Sequence, residues 1–250
     1  RKRTHAVQPV FSVIVPAYNE ERYLPKSLGA INRAAAFLGE EVEVIVADNL
    51  STDRTPAVAR EFGARVVPVS IKCISAVRNG GAAEARGKYL VFLDADNCIS
   101  EDLLVHIKEV LDSGKYVGGG LVSARYDRDA LGIRFTHGLV KLGVSFTGVS
   151  MFLFYATAEA FRAIGGYDEK LLATEDHEFA MRLRAHGKKH GQKYCNLNKG
   201  EVVLSSRKFD EYGDWMIFWH LKKWLKACLN RGDAVYELWY KPRREAGSKG

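Results

Sequence analysis

The 250-residue chain is sparing with the residues that mark small secreted or fibrous proteins, having four cysteines, six prolines and no low-complexity tract. Cys73, Cys98, Cys195 and Cys228 stand far apart and form no C-x-x-C pair. That spacing excludes a dense disulfide framework and a zinc-finger arrangement, and it fits a reducing environment. No run reaches the 18 or more apolar residues of a membrane span, and residues 1–20 lack the apolar core of a secretory leader. The expectation is a cytoplasmic chain, either free or peripheral at a membrane.

With 47% hydrophobic and 27% charged residues, the composition is that of a globular α/β domain with a sizeable core. The formal charge is +7 and the pI about 9.2. Arg1, Lys2 and Arg3 carry three of those charges, and Lys241, Arg243, Arg244 and Lys249 against Glu245 carry three more. Only +1 is left for residues 4–240. Basic ends on a nearly neutral body argue against a nucleic-acid groove and direct attention to an anionic surface that the tails could touch.

Strands and helices alternate through the first hundred residues. Phe11–Val15, closed by Pro16, reads as a buried strand, and a helix is expected from about Glu20 to Leu38 with acids at its start. Val42–Ala47 is the next strand, with Asp48 at its carboxyl end; Ser51, Thr52 and Asp53 offer caps for a helix to about Phe62. Strand Arg65–Val69, helix Ser75–Ala85 and strand Tyr89–Leu93 follow, a βαβαβαβ order that calls for a mainly parallel sheet with right-handed crossovers. Beyond Asp96 the expectations are a helix from Ser100 to about Leu111, a strand over Tyr116–Ala124, no clear period over 125–148 and a strand over Met151–Tyr155. Helices near Ala158–Ile164 and Glu175–His186 and an amphipathic stretch over Tyr212–Leu229 complete the reading. Ligands of such sheets bind outside the carboxyl ends of the strands.

Asp94 and Asp96 follow the apolar run Tyr89–Leu93, and alternation along the chain aims both carboxylates in one direction. Hard oxygens so paired suit Mg2+ or Mn2+ with substrate phosphates completing the shell, although a D-x-D can equally be a strand-end turn that caps backbone amides. Asp48 and the segment Pro16-Ala17-Tyr18-Asn19-Glu20 end their strands on the same edge of the sheet. Glu175-Asp176 suits acids at the positive N-terminal end of a helix. Ser205-Ser206-Arg207-Lys208, after the apolar Val202-Val203-Leu204, offers donors to an anion or forms a solvated turn, and is given no role.

Five segments occur in one order: Val13–Glu20, Val46–Asp53, Arg78-Asn-Gly-Gly with Ala85–Asp96, Gly165–Glu169 and Thr174–Glu178. Together they resemble the family 2 glycosyltransferases with the GT-A fold, over roughly residues 10–185. The resemblance implies a Rossmann-like, mainly parallel sheet flanked by helices. It implies a GT-A domain over 1–208, with a nucleotide-binding half at about 10–100 and an acceptor half at about 101–208. A C-terminal amphipathic helical extension with a basic tail would occupy 209–250. It implies a donor site made by Pro16, Ala17, Tyr18, Glu20, Asp48, Arg78, Asp94, Ala95 and Asp96, with Asp94 and Asp96 holding the metal and Asp96 as the direct ligand. Glu175 would lie on the acceptor side and Asp176 would be the general base. The activity implied is inverting transfer of a sugar from a nucleotide-sugar to a carbohydrate hydroxyl or lipid-linked acceptor, with Mg2+ or Mn2+. Asn97 stands where many relatives have a third acid, and His186, His190 and His220 are candidates for a further ligand.

Other readings have weaker sequence support. A nucleotidyltransferase would bring a Gly-rich, cationic loop where Pro16–Glu20 stands, and a dinucleotide-dependent oxidoreductase would bring G-x-G-x-x-G there. An inactive nucleotide-sugar-binding relative would have no use for Asp94, Asp96 and Asp176. In the last stretch Trp215, Phe218, Trp219 and Trp224 interleave with Lys222, Lys223 and Lys226, which suits either an interfacial helix on anionic lipid or a helix packed on the core.

Overall fold

The computed structural model describes residues 8–150, 152–171 and 174–215. Both basic ends and residues 216–229 of the amphipathic stretch therefore lie outside the described residues.

The alternating first half folds as its sequence requires. Strands β1 (Phe11–Ala17), β2 (Val42–Asp48), β3 (Arg65–Pro68) and β4 (Tyr89–Phe92) lie parallel, with helices α1 (Leu24–Leu38), α2 (Thr55–Glu61) and α3 (Ile74–Ala83) as crossovers. Every residue of β1 is buried, as expected of a central strand covered on both faces. Pro16 does not end it: β1 runs to Ala17, opposite Asp48. The Ile14 carbonyl accepts from the Leu93 amide on the β4 side. Pro16, two residues on, turns the same way, past the last β4 residue in the ladder, so its missing N–H removes no bond.

Helix α1 begins four residues later than its sequence suggests. The Glu20 carbonyl accepts from the Tyr23 and Leu24 amides in a turn, Pro25 sets the first helical turn, and Asn19 takes a left-handed φ of 53°. The acids Glu20 and Glu21 belong to that turn and not to the helix. At α2 the N-cap is Arg54, and Asp53 just before it accepts from the Thr55 amide at 2.8 Å.

The second half departs further. β5 (Cys98–Ile99), α4 (Leu103–Asp112), β6 (Tyr116–Leu121), β7 (Ala124–Tyr126), α5 (Leu131–Thr147), β8 (Phe154–Thr157) and α6 (Ala158–Ala163) come in turn. They are followed by α7 (Glu175–Lys189), β9 (Lys193–Leu197), β10 (Val202–Leu204) and α8 (Arg207–Tyr212). The main sheet has the order β3-β2-β1-β4-β8-β6-β9, with β8 antiparallel to both neighbours and β9 parallel to β6. β5, β10 and β7 form a separate three-stranded sheet. The single strand expected over Tyr116–Ala124 is thus two strands in two sheets, and the strand expected over Met151–Tyr155 begins three residues later and ends two later.

Most at odds with expectation is α5, which fills the region that showed no period. Leu131, Phe135, Leu139 and Leu142 recur at helical spacing but are exposed, while Ile133, Thr136 and Val144 are buried, so both sides of the helix carry apolar residues. β9 was missed for the related reason that Lys193 and Asn196 interrupt a short edge strand.

Two cores flank the sheet. Leu24, Leu28 and Ile31 of α1 and Leu103, Leu104 and Ile107 of α4 pack on one face, with Val13, Val46 and Val91. Phe161 of α6 and Phe179 and Leu183 of α7 pack on the other, with Ile14, Ile45 and Phe92. Two glycines permit close approaches. A Cβ on Gly81 would stand 2.7 Å from Ile14 Cγ2, so its absence lets α3 settle onto β1 and β2. A Cβ on Gly119 would overlap the Cys195 carbonyl oxygen across the β6–β9 ladder. Gly119→Ala is expected to destabilise the fold by about 1–3 kcal/mol, as overpacked core sites do, read as a lowered urea midpoint with unchanged slope.

Candidate active site

The carboxyl ends of β1, β2 and β4 bring the predicted residues to one edge. Pro16 and Ala17 are buried at the end of β1, Tyr18 points outward with half its surface exposed, and Glu20 is buried. The turn between them is tied to the next loop, since the Asn19 amide donates to Ser51 Oγ at 2.9 Å and the Thr52 amide to Asn19 Oδ1 at 2.8 Å. The Glu20 amide donates to Thr55 Oγ1 at 2.7 Å. Asp48 at the end of β2 accepts from the Ser51 amide through Oδ2, while its Oδ1 is buried with no hydrogen-bond partner in the protein. A buried carboxylate oxygen left open in this way is costly unless a ligand donor meets it.

Arg78 projects from the middle of α3, the helix that Gly81 allows close to the sheet. Its guanidinium donates to Asp176 Oδ1 at 2.6 Å and to Asp94 Oδ1 at 3.2 Å, and lies 3.9 Å from Glu175 Oε1. Its face stacks 5.2 Å from the Tyr167 ring. The cation is almost wholly buried, and burial works against its charge. Asp176, Tyr167, Asp94 and Glu175 outweigh that effect and hold the pKa well above the usual arginine value. Asp94 is the exposed member of the group, and the β4 end that carries it is buried up to Leu93.

A second cation, in the segment that the sequence left without a role, organises the other acids. Arg207, at the start of α8, donates to Glu20 Oε2 at 2.6 Å, pairs with Asp96 Oδ2 at 2.7 Å and lies over the Tyr23 ring at 5.1 Å. The Ser205 amide before it donates to Asn97 Oδ1 at 3.2 Å, so Asn97 ties the D-x-D turn to the β10–α8 loop. The signal available for Arg207 was its place three residues after a short apolar strand, much as Asp94 closely follows β4. Ala95 between the two acids is buried.

Burial raises Asp96 to a pKa of about 6, with Asp94 and Glu20 adding to the rise and Arg207 opposing it. Asp176 is likewise pushed above the ordinary carboxylate range by burial and by Glu175 and Asp94, against the pull of Arg78. Glu175 and Asp176 open α7, where the helix dipole favours negative charge. The residue before them, Thr174, holds a left-handed φ of 64°. That conformation costs a β-branched residue on the order of 1–3 kcal/mol and is the kind of strain that collects at functional sites.

His186 and His190, rings 4.2 Å apart, sit at the far end of α7, ten or more residues from Asp176 and hence about 15 Å along the helix. They are not brought to the cleft, and His220 lies outside the described residues. Among the described residues no group of three or more His, Cys, Asp and Glu could hold a metal ion by itself. Asp94 and Asp96 do fit a hard divalent cation, because Mg2+ and similar ions take one or two carboxylates and leave the remaining positions to water and phosphate.

Comparison with known proteins follows the same line. A family model described as glycosyl transferase family 2 matches residues 12–163. A minor teichoic acid biosynthesis protein, GgaA of Bacillus subtilis, is 29% identical over 126 residues, 47% of this chain and 28% of that protein. An undecaprenyl-phosphate 4-deoxy-4-formamido-L-arabinose transferase of Pseudomonas paraeruginosa is 30% identical over 189 residues, 70% of this chain and 53% of that protein. This chain therefore spans between about a quarter and a half of the length of these two relatives. The structure of the mannosyltransferase PcManGT from Pyrobaculum calidifontis, in complex with GDP-Man and Mn2+, shares the fold with a TM-score of 0.64. It is 19% identical, over 92% of this chain and 68% of that one.

Replacing Arg78 with Met leaves Asp176 and Glu175 without their cation. The expected cost is about 3 kcal/mol at pH 8, as for other broken buried ion pairs. The cost shrinks at pH 5, where the raised pKa of Asp176 lets it protonate. Urea denaturation at the two pH values measures both; an equal cost at pH 5 and 8 would mean that the pair contributes no charge.

Proposed function

Because the chain belongs to glycosyl transferase family 2, we propose that it moves a sugar from a nucleotide-sugar donor to a hydroxyl or lipid-linked acceptor, with inversion at the anomeric carbon. One observation carries the reading: Asp94 and Asp176, 82 residues apart in sequence, share a single buried guanidinium at the carboxyl edge of a mainly parallel sheet. The names of two relatives are in keeping with it, one being a transferase for an undecaprenyl phosphate and the other a mannosyltransferase seen with GDP-Man and Mn2+.

In this reading the open Oδ1 of Asp48 accepts a hydrogen from the nucleotide base, and the turn Pro16-Ala17-Tyr18 gives the ring a wall, with Tyr18 at the rim. Arg78 orients the diphosphate side of the donor and at the same time fixes Asp176. Asp94 and Asp96 hold the metal, Mg2+ or Mn2+. When bound there, the ion supplies charge stabilisation for the departing nucleoside diphosphate. Asp176 accepts the proton of the acceptor hydroxyl as its oxygen bonds to the anomeric carbon and the bond to the diphosphate oxygen breaks on the opposite face. Glu175 lies beside it toward the acceptor. Residues up to about 100 then serve the donor and residues 101–208 the acceptor. Arg207, released from Asp96 when the metal and donor arrive, remains held by Glu20.

A base with a raised pKa loses function at a higher pH than an ordinary carboxylate would. On this reading kcat/KM falls as pH drops through about 6, the value to which burial raises Asp176; a profile flat from pH 5 to 7 would remove Asp176 as the base.

Asp176→Asn should slow transfer by about 10²–10⁴-fold, the usual share of general base catalysis, while the donor still raises the melting temperature in the presence of Mn2+. A thermal-shift screen of nucleotide-sugars with Mg2+ or Mn2+ identifies the donor, since a ligand of the folded state stabilises it by mass action. Full transfer by purified Asp176→Asn is the outcome that sinks the assignment.

A further inference from the structure

Both of the paired aspartates face a cation, but the two pairs are built differently. Arg78 is almost wholly buried, fixed by Asp176 and the Tyr167 ring, and meets a half-exposed Asp94 at 3.2 Å. Asp96 is the reverse case. Its side chain is only 14% exposed, and its Oδ2 lies 2.7 Å from Nε of Arg207, whose side chain keeps 20% of its surface. Arg207 turns a different edge to Glu20, donating from Nη1 to Oε2 at 2.6 Å, and its guanidinium lies 5.1 Å from the centre of the Tyr23 ring. Glu20 and Tyr23 therefore hold the arginine without Asp96, and it can let go of that carboxylate while keeping its place. Lys208, the next residue of α8, adds positive charge that also reaches Asp96.

With Asp94 and Asp96 as the metal pair, the reading on which this proposal rests, Asp96 must share its carboxylate between Arg207 and a divalent ion. Like charges then meet at one buried acid, where little water screens them. A nucleoside diphosphate removes the conflict, because its oxygens suit a guanidinium and a hard cation alike. We propose that Arg207 is a resident counter-cation of Asp96, hindering a divalent ion that arrives alone and admitting one that arrives with a nucleoside diphosphate. The same contact explains how Glu20 and Asp96, near enough to repel, stay together before an ion arrives. A bracing role alone predicts the opposite sign, since loosening the β10–α8 loop would weaken every ligand of the cleft.

The test is Mn2+ binding by the full chain, read as loss of the free-ion signal in electron paramagnetic resonance, with no nucleotide and no turnover. Arg207→Gln should bind Mn2+ about tenfold more tightly than the native chain, as removal of a like charge beside a divalent ion requires. It should melt at a lower temperature without Mn2+ and recover with it, since the ion then takes over the two acids. UDP or GDP should tighten Mn2+ binding strongly in the native chain and much less in Arg207→Gln. Should Arg207→Gln fail to fold, Arg207→Lys carries the test. A lysine keeps the charge but lacks the fork that holds two acids at once, so Mn2+ should tighten about threefold. Unchanged or weaker Mn2+ binding in these variants overturns the inference. Asp96→Asn tells which reading has failed. If it abolishes Mn2+ binding in the presence of UDP or GDP while the Arg207 changes leave the affinity for Mn2+ alone unaltered, the metal pair stands and the counter-cation falls. If Mn2+ binding is indifferent to Asp96→Asn, both fall.

Discussion

Arg78 enters the cleft from α3 and ends between carboxylates from two other elements, Asp94 after β4 and Asp176 in the first turn of α7. Acids crowded at a sheet edge repel one another, and burial penalises each of them further. One planar cation that can donate in two directions holds the group together without neutralising all of it. The rest of the architecture serves that placement. Gly81 lowers α3 onto β1 and β2, the Tyr167 ring supports the guanidinium from one side, and the strained backbone at Thr174 turns Glu175 and Asp176 inward. Arg207 repeats the device with Glu20 and Asp96, so each of the paired aspartates has its own cation.

Much of this could be read from the chain. Asp48, Asp94 and the Pro16–Glu20 turn were legible because parallel strands with short apolar runs announce their own ends, and whatever polar residue follows is fixed at the edge. Asp176 was legible in its place at a helix start. What no local pattern could show was the partner choice of Arg78, which reaches across 98 positions, and of Arg207, which reaches across 187. Such contacts depend on where elements dock, and docking is decided by both cores at once. His186 and His190 illustrate the converse, being close to Asp176 in sequence and a helix length away in space.

The second half was harder because its elements break the periodicities that reveal the first. β6 is legible as a strand despite its three successive glycines, of which Gly118 passes beside Tyr155 and Gly119 beside Cys195, but its separation from β7 is not. β5, β7 and β10 are two or three residues long. α5 carries apolar residues on both its exposed and its buried sides, with Thr136 in the core, so no single apolar stripe stands out against a polar face.

The small sheet has a consequence of its own. β5 follows Asp96 by one residue, β10 precedes Arg207 by two, and β7 leads toward α5, yet the three strands are joined through only two or three paired positions per ladder. β1 and β2 are joined through seven. Segments with so few shared bonds open at lower free energy than the body they belong to. The loop that carries Arg207 is thus held by shorter ladders than the β1–β2 body that ends at Asp48, so the two walls of the cleft differ in how firmly their backbone is paired.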